Sequence, residues 1–358
     1  MKRQSHTTLQ DIAAKLKVSR VTVSKALRAH PDISDETKKR VLRLAASMGY
    51  TPNIMARSLS SRRSSMIGLV VPKIAHFFFS SMIEGVYNAA FERKYETILT
   101  VSQENAERER KHLQTLIAMR VDGIIISISQ ETKDTEIFKR IRKTGIPLLF
   151  VDRRPEPPLP GFGSVLADDR DGAYRAVEQA ITVGYRKIGI VGGNTIINIG
   201  RERLRGFMEA MRHHDIAVKS EWVVSGGYAK EDGYNAFKQL FKSSAGLPEF
   251  VFAVTYPVAL GFLQAAKEQG VRVPSDIDII CFGDGDLAGY MTPALTVVRQ
   301  PTQELGARAV QMILENITNP ERTVEHHVIL PTQLVLRDTC VERKAQNPPD
   351  NVVKLKTV

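Results

Sequence analysis

A short run of polar side chains near the amino terminus has the composition of a contact with a polyanion. Every polar residue in it is a hydroxyl or a cation: Ser19, Arg20, Thr22, Ser24, Lys25 and Arg28. Hydroxyls and cations hydrogen-bond to phosphate oxygens, and an arginine can also bond two acceptors of a guanine edge at once. We therefore predict that this run contacts nucleic acid.

The charge distribution along the chain favours the same interpretation. Residues 1–64 contain 14 basic and 4 acidic residues, a net charge of +10, within a chain of net charge +11. A basic segment beside a nearly neutral body is the electrostatic signature of a polyanion-binding module. The alternative for a charge run by itself is a solvated basic face.

The elements that must position this run are three short helices. Thr8 and Asp11 form a capping-box pattern before the first helix, Ser19 is an N-cap for the second, and Ser34 is an N-cap for the third. Gly49 has the position of a residue just past the third helix. Two short helices joined at 17–19 predict a helix-turn-helix, whose second helix enters the major groove.

Helical spacing assigns roles within the second helix. Arg20, Val21 and Lys25 point away from its apolar face, so we predict that they read bases, Arg20 at guanine and Val21 at a thymine methyl. The side chains that suit phosphate contacts are Ser19, Thr22, Ser24 and Arg28. We include Thr8, the first N-cap, among the DNA contacts. The alternative is an ordinary three-helix bundle without a ligand.

From residue 66 onward, short apolar runs alternate with helical patterns. The runs predicted as strands are 67–71, 97–101, 123–128, 147–151, 164–167, 187–191, 250–254, 276–282, 295–299, 327–330 and 333–336. Such alternation is typical of parallel α/β sheets, and about 275 residues exceed what one core usually holds. The predicted fold class is α/β, with an all-α headpiece followed by two doubly wound parallel-sheet lobes.

These patterns divide the chain into four segments. We predict a helix-turn-helix headpiece over 1–50, a hinge helix and basic linker over 51–65, and a two-lobed core over 66–340. The polar, proline-containing segment 341–358 is predicted to be a disordered tail.

A cleft between two such lobes is a natural site for a small polar ligand, near the carboxyl ends of the strands. Asp152, Asp168 and Asp284 each follow a predicted strand, and Tyr256 follows another at the second position. His76 comes shortly after the first strand. We predict that these side chains contact the ligand, with helix capping as the alternative for Asp152 and Asp168.

Several classes of function are excluded or disfavoured. The chain has no apolar run of membrane-spanning length and no signal-peptide pattern, so we expect a cytoplasmic protein without a membrane partner. Cys281 and Cys340 form neither a disulfide framework nor a metal cluster. Phosphate-loop and nucleophile-elbow motifs are absent, and the adjacent histidine pairs do not share a face. We expect no enzyme, no cofactor and no metal.

Specific motifs resemble the lactose-repressor (LacI/GalR) family. The headpiece motifs are 8–13, TLQDIA, and 18–27, VSRVTVSKAL, and the hinge motifs are 49–53, GYTPN, and 56–59, ARSL. The core motifs are 67–72, 121–125, 203–207 and 292–296. Together they cover roughly residues 7–340. One departure is Lys17, where the family commonly has glycine. A left-handed lysine costs on the order of 1 kcal/mol there.

The resemblance implies how DNA is bound. A homodimer would read two half-sites of a pseudo-palindromic operator, while its paired hinge helices enter the minor groove. Leu59 has the position of the residue that wedges between bases, with packing on the core as its alternative. The predicted hinge contacts are Asn53, Ala56, Arg57 and Leu59.

The resemblance also implies a small-molecule effector in the cleft. Phe78 and Phe79 match the family's aromatic pair, Arg203 its ligand-gripping arginine, and Tyr228 a stacking aromatic. Core packing for the phenylalanines and a solvated face for Arg203 are the alternatives. A carbohydrate would suit aromatic faces with carboxylate–arginine pairs.

Two departures change the expected effector. Thr255 and Tyr256 stand where sugar-binding relatives often carry an Asn-Asp or Gly-Asp pair, and Gly283 stands where they have a first aspartate, which leaves only Asp284. The effector is therefore expected to be larger, less hydroxylated or phosphorylated, unless the site has diverged from sugar binding.

The sequence as a whole predicts a sequence-specific transcriptional regulator, a repressor in the simplest case, whose operator affinity is controlled by a small molecule. The alternative is a cytoplasmic small-ligand-binding protein whose basic headpiece binds polyanions without sequence preference. Selective binding of one duplex sequence would distinguish them, because both proteins would show salt-dependent binding.

Overall fold

A computed structural model of the chain describes residues 7–51, 63–319 and 326–341. The chain divides into two compact units, residues 1–64 and residues 65–358. The predicted hinge segment and the predicted tail lie largely outside the described residues.

The first unit contains the three predicted helices, α1 (Leu9–Leu16), α2 (Arg20–Leu27) and α3 (Asp35–Ser47). The capping predictions are confirmed. The Thr8 hydroxyl accepts the Asp11 backbone N–H at 3.3 Å, and the Asp11 carboxylate accepts the Thr8 N–H at 2.7 Å. The hydroxyls of Ser19 and Ser34 likewise cap α2 and α3.

The turn between α1 and α2 depends on Lys17. Its backbone is left-handed, with φ 53° and ψ 42°, and its N–H bonds back to carbonyls of α1. The predicted strain at this position is therefore present, and the compact headpiece core must offset it. The fully or largely buried side chains of that core are Ile12, Ala13, Val23, Ala26, Val41 and Ala45.

The second unit folds as two lobes, each around a six-stranded sheet. The first sheet has the order β11-β5-β4-β3-β1-β2 and is parallel throughout. Its strands are β1 (Met66–Val71), β2 (Glu96–Val101), β3 (Gly123–Ile126), β4 (Leu148–Val151), β5 (Gly163–Ala167) and β11 (His327–Leu330). The helices of this lobe are α4 (Phe77–Glu92), α5 (Ala106–Ala118), α6 (Glu136–Lys143) and α11 (Thr302–Thr318).

The second sheet has the order β12-β10-β9-β8-β6-β7, and it is parallel except for β12, which runs antiparallel to β10. Its strands are β6 (Ile188–Val191), β7 (Val223–Val224), β8 (Phe250–Ala253), β9 (Asp278–Phe282), β10 (Val297–Arg299) and β12 (Gln333–Val335). Its helices are α7 (Asp169–Val183), α8 (Asn198–His213), α9 (Lys230–Phe241) and α10 (Tyr256–Glu268).

The chain passes between the lobes at three places. It leaves the first lobe after β5, returns to it between β10 and α11, and leaves it again between β11 and β12. The predicted doubly wound α/β lobes are confirmed, and every predicted strand is present to within two residues at either end. The two-residue strand β7 was not predicted. Within the described residues, no helix combines the length and apolarity that a membrane crossing requires.

Candidate nucleic-acid interface and effector cleft

The outer face of α2 carries the residues predicted to read bases. Arg20 is exposed, and the Val21 side chain is 62% exposed although it is apolar. Val23 and Ala26, on the opposite face, are buried against α1 and α3. An exposed valine beside an exposed arginine offers one apolar and one bidentate contact to a groove floor.

The other predicted contacts on this face are engaged with one another. The Ser19 and Thr22 hydroxyls lie 2.8 Å apart, and Arg28 donates through Nε to the Ser24 carbonyl. Lys25 donates to Asp32 at 2.9 Å in an exposed ion pair, which lowers the pKa of Asp32. These bonds are solvent-accessible, so water-competitive partners such as phosphates can replace them. The predicted hinge contacts at 53, 56, 57 and 59 lie outside the described residues.

The second unit has a cleft between its lobes, a cavity of about 50 Å³ that opens to solvent. The side chains that line it follow the carboxyl ends of strands in both sheets, as parallel α/β architecture predicts. From the first lobe these are Lys73, His76, Phe77, Phe78, Phe79, Glu104, Gln130, Asp152 and Arg153. From the second lobe and the crossing strand they are Ile199, Arg203, Tyr228, Ala229, Thr255, Phe282 and Gln300.

Arg153 is the centre of the first-lobe side of the cleft. Its side chain is 6% exposed, and Nη1 donates to both Glu104 carboxylate oxygens at 2.9 and 3.1 Å. The guanidinium lies 5.4 Å from the ring centroids of both Phe79 and Tyr228. The backbone N–H of Gln130 also donates to Glu104. This set of contacts holds a cation inside the cleft, and its Nε lies 3.7 Å from Asp152 Oδ2 without a hydrogen bond.

Arg203 plays the corresponding part on the second-lobe side. It donates through Nε and Nη2 to Asp169 Oδ1 at 2.9 and 2.7 Å, and through Nη1 to the Val254 carbonyl at 2.6 Å. Its guanidinium stacks on Phe282 at 3.7 Å from the ring centroid. Both charged side chains are only 3% exposed, so this is a buried ion pair rather than a solvated face.

The predicted aromatic residues line the cleft as well as contributing to the core. Phe78 and Phe79 are buried and pack edge to face at 5.1 Å. His76 stacks on Phe77, and burial together with Arg153 and Lys73 lowers its pKa to about 4. The imidazole is therefore neutral near pH 7.

Tyr228 is the predicted aromatic on the second-lobe side. Its hydroxyl donates to the Asn194 carbonyl at 2.8 Å, and burial raises its pKa to about 12. The ring therefore presents a face to the cleft, while its polar end is occupied.

Asp152 lies where the two lobes meet. Burial raises its pKa to about 7, and the nearby Asp169 also raises it. Its carbonyl accepts Asn198 Nδ2 from the second lobe at 2.9 Å, and Arg154 N donates to Asn198 Oδ1 at the same distance. Asn198 thus joins the lobes through two hydrogen bonds, and Arg201 adds an ion pair to Glu156 at 2.7 Å.

Three predicted ligand contacts do not line the cleft. Asp168 caps α7 by accepting the Asp171 N–H at 3.0 Å, at the first crossing between lobes. The Asp284 carboxylate accepts a hydrogen bond from Arg299 Nε, and both of its oxygens accept from Arg337 Nη2. The capping alternative is therefore correct for Asp168, and the neutralised carboxylate of Asp284 belongs to the packing of its own lobe.

Tyr256 is the third of these residues. It packs behind Phe77, with ring centroids 5.5 Å apart, and its hydroxyl contacts Met291 Sδ. Tyr256 therefore supports Phe77 from the second lobe. The preceding residue, Thr255, lines the cleft instead.

Sequence reasoning missed several lining residues that its own strand-end rule reaches. Glu104, Gln130 and Gln300 each follow a predicted strand, and Arg153 is adjacent to the predicted Asp152. A strand-end position by itself does not distinguish a glutamate or glutamine that enters the cleft from one that faces solvent. Asp169 was missed for a different reason, since its role depends on Arg203, which lies 34 residues away.

Together these features define a class of protein: a small helix-turn-helix unit in one chain with a two-lobed, ligand-binding α/β core. Comparison with known proteins gives the family. Residues 8–53 match the lacI family of bacterial regulatory proteins, and residues 177–340 match a periplasmic binding protein-like domain.

Relatives of known name cover almost the whole chain. The ribose operon repressor of Haemophilus influenzae is 32% identical over 94% of this chain and 98% of its own length. The HTH-type transcriptional repressor PurR of Photobacterium profundum is 31% identical over 88% of this chain and 94% of its own length. In fold, the lac repressor dimer bound to operator and the anti-inducer ONPF matches with TM-score 0.82 and 24% identity, over 94% and 99% of the two chains. The chain belongs to the lacI family of bacterial regulatory proteins.

Proposed function

We propose that the protein is a transcriptional repressor whose affinity for its operator is set by a small molecule bound between the core lobes. It is a regulator and not an enzyme. The observation that carries the proposal is the pairing, in one chain, of an exposed reading face at Arg20 and Val21 with a cleft lined by buried charged and aromatic groups. Family membership supports both halves.

The DNA-binding species in this proposal is a cytoplasmic homodimer. Two headpieces would place their α2 helices in successive major grooves, so that the operator is a pseudo-palindrome. Leu59 of each hinge would enter the minor groove and bend the duplex. The dimer of the lac repressor, to which this fold is similar, supports this assembly.

Effector control would operate through the relative position of the lobes. The cleft walls come from both lobes, so a ligand that contacts Arg153 and Arg203 together has a different affinity for each lobe arrangement. The bonds of Asn198 to Asp152 and Arg154 already favour one arrangement. Ligand binding would add to or oppose that preference, and so shift operator affinity by population.

Selection of bound duplexes from a random pool at near-physiological salt tests the proposal. A recovered pseudo-palindrome with a common central step supports a sequence-specific regulator. Recovery of random sequence, with binding that fades uniformly as salt rises, would mean either that the basic headpiece is a polyanion contact without sequence preference or that specific binding requires a corepressor absent from the selection. The exposed apolar Val21 side chain favours the regulator, because valine has no hydrogen-bond donor for a phosphate but can contact a thymine methyl.

We predict that Arg20→Ala relaxes base choice at one position of each half-site. The expected loss is about 1–3 kcal/mol on the selected operator, because a bidentate guanine contact is removed. Competition binding against duplexes altered at each position measures it. Lys39→Ala, which removes a cation from α3 instead, is the matched control and should not change the preferred base. Equal weakening by Arg20→Ala on every sequence would make Arg20 a phosphate contact.

A further inference from the structure

Among the described residues, four of the nine buried side-chain polar atoms that have no hydrogen-bond partner line the cleft. They are His76 Nδ1, Gln130 Oε1, Arg153 Nε and Gln300 Nε2, all of them buried. Buried polar atoms are normally paired, so a ligand is expected to complete these bonds. Gln300 Nε2 is a donor, the neutral His76 ring can present a second, and Gln130 Oε1 is an acceptor. Arg153 Nε faces Asp152 Oδ2 at 3.7 Å, beyond hydrogen-bonding distance.

The carboxylates near the cleft are largely occupied. Glu104 accepts two bonds from Arg153 and one from the Gln130 backbone, and Asp169 is paired with Arg203. Asp152 accepts from Ser127 at 3.3 Å and lies 3.7 Å from Arg153 Nε, and burial raises its pKa to about 7. On the first-lobe side the carboxylate acceptors are therefore largely used, and Gln130 Oε1 and one His76 nitrogen remain.

The second-lobe wall adds few free polar atoms. The Thr255 hydroxyl donates to the Tyr228 carbonyl, the Tyr228 hydroxyl is bonded to Asn194, and Phe282 lies under Arg203. At Gly283 the backbone is left-handed, with φ +93°, and a Cβ would lie 2.9 Å from the Phe77 ring. A side chain at that position would be strained by the backbone and would require the end of the Phe77 ring to shift.

Lys73 supplies a positive charge that no acidic side chain neutralises. It is exposed at the mouth of the cleft, and it is one of the charges that lower the pKa of His76. Among the described residues no ion pair of Lys73 is found within 4 Å. Arg153, a second cation beside His76, is buried, is paired with Glu104, and has its Nε 3.7 Å from Asp152 Oδ2.

From these observations, and resting on the proposed effector-controlled function, we propose that the effector carries an anionic group. Its carboxylate or phosphate is bound on the first-lobe side by Lys73 and Arg153, with Gln300 as an additional donor. The uncharged remainder of the molecule packs on the Tyr228 and Phe282 side. An anion satisfies the unused donors at once and offsets the unpaired ammonium, whereas a neutral polyol would leave the charge unmatched.

Thermal unfolding of the full-length protein with small probes tests this directly. The probes are inorganic phosphate, acetate and neutral D-glucose, each titrated at constant ionic strength with chloride. We expect a saturable rise in the unfolding midpoint of the core with at least one of the two anions. Lys73→Gln should weaken that response by about tenfold, the value of one charge-assisted hydrogen bond. Lys242→Gln, which removes an exposed lysine at the end of α9, is the matched control and should respond as the wild type does.

The outcomes distinguish a phosphorylated from a carboxylated effector, and they test the anionic effector separately from the proposed function. A stronger response to phosphate indicates a phosphorylated effector, and one to acetate a carboxylated effector. No saturable response to either anion, or an equal response in Lys73→Gln, overturns the anionic proposal, as does glucose binding that is unaffected by Lys73→Gln. None of these results changes the proposed function, which the duplex selection tests without any effector.

Discussion

Asp169→Ala will lower the free energy of unfolding of the core by about 3–5 kcal/mol, because it leaves the Arg203 guanidinium buried without its partner. Arg203 and Asp169 are each only 3% exposed, and two of the guanidinium nitrogens donate to one Asp169 oxygen. The stacking on Phe282 prevents the arginine from turning out to solvent without exposing that ring. Urea unfolding of the full chain, followed through the core transition, measures the change.

The neighbouring residue is the matched control. Asp168→Ala removes the N-cap of the same helix and should cost about 1 kcal/mol, the usual value of a lost cap. A double replacement, Asp169→Leu with Arg203→Met, should recover most of the stability, since apolar side chains of similar size can replace a buried ion pair. Equal losses for Asp168→Ala and Asp169→Ala would mean that helix capping, and not the buried charge pair, determines the effect.

Effector binding separates the structural role of this pair from its role in the cleft. The double replacement restores folding but removes the guanidinium from the cleft wall. We therefore expect a folded protein that selects the same operator and no longer responds to its effector. The double replacement therefore separates the effect of the ion pair on stability from its effect on the effector response, which a single replacement changes together.

Much of this fold could be predicted because buried parallel strands leave a local pattern. Runs such as 67–71 and 250–254 are apolar on both faces, and each is followed by a helical period. The strand β7 was missed because Val223–Val224 is two residues long, too short to show any period. The cap residues of the headpiece were correct because capping is a contact over three residues, which spacing alone reveals.

The cleft was harder to predict, since its contacts join distant parts of the chain. The strand-end rule placed Asp284 correctly at the end of β9, but its carboxylate is used by Arg299 and Arg337, which are 15 and 53 residues away. The same rule placed Asp168 at a strand end but could not show that its side chain turns into the helix N-cap, and that Asp169 is the residue that faces Arg203. Adjacent side chains point in different directions, so Asp168 caps the helix while Asp169 faces Arg203 at the cleft.

Acidity links the architecture of the cleft to conditions that an experiment can vary. Glu109 lies on α5, outside the cleft lining, and accepts the Ser129 N–H at 2.6 Å and the Thr132 hydroxyl at 2.8 Å. These bonds fix the loop that brings Gln130 into the cleft. Burial raises the pKa of Glu109 to about 7, with Glu104 also raising it and Arg153 lowering it.

The sign of the pH effect follows from this raised pKa. The folded protein binds the Glu109 proton more tightly than the unfolded chain, whose ordinary value is 4.5. The resulting stability is fully present below pH 4.5 and is lost as the pH rises through about 7, a change of roughly 3 kcal/mol. Asp152, whose pKa is also raised to about 7, adds a change of the same sign.

We predict that Glu109→Gln flattens this profile. Between pH 5 and pH 8 the wild type should lose roughly 2–3 kcal/mol more than the variant, because the amide has no proton to release. Urea unfolding at each pH measures the difference, and Glu131→Gln, an exposed change in the same loop, should follow the wild type. Parallel profiles for wild type and Glu109→Gln would show that Glu109 does not titrate within the core.

The same titration should also act on the effector site. Ionised Glu109 near pH 8 is a buried charge with two donors, beside the Glu104 carboxylate that holds Arg153. The Ser129 and Thr132 donors favour this ionised form and keep the 129–132 loop in place, but an anionic effector group bound beside Arg153 would be repelled by the added charge. Affinity for the effector should therefore fall from pH 6 to pH 8 in the wild type and remain nearly constant in Glu109→Gln, which connects a side chain outside the cleft to what the cleft can bind.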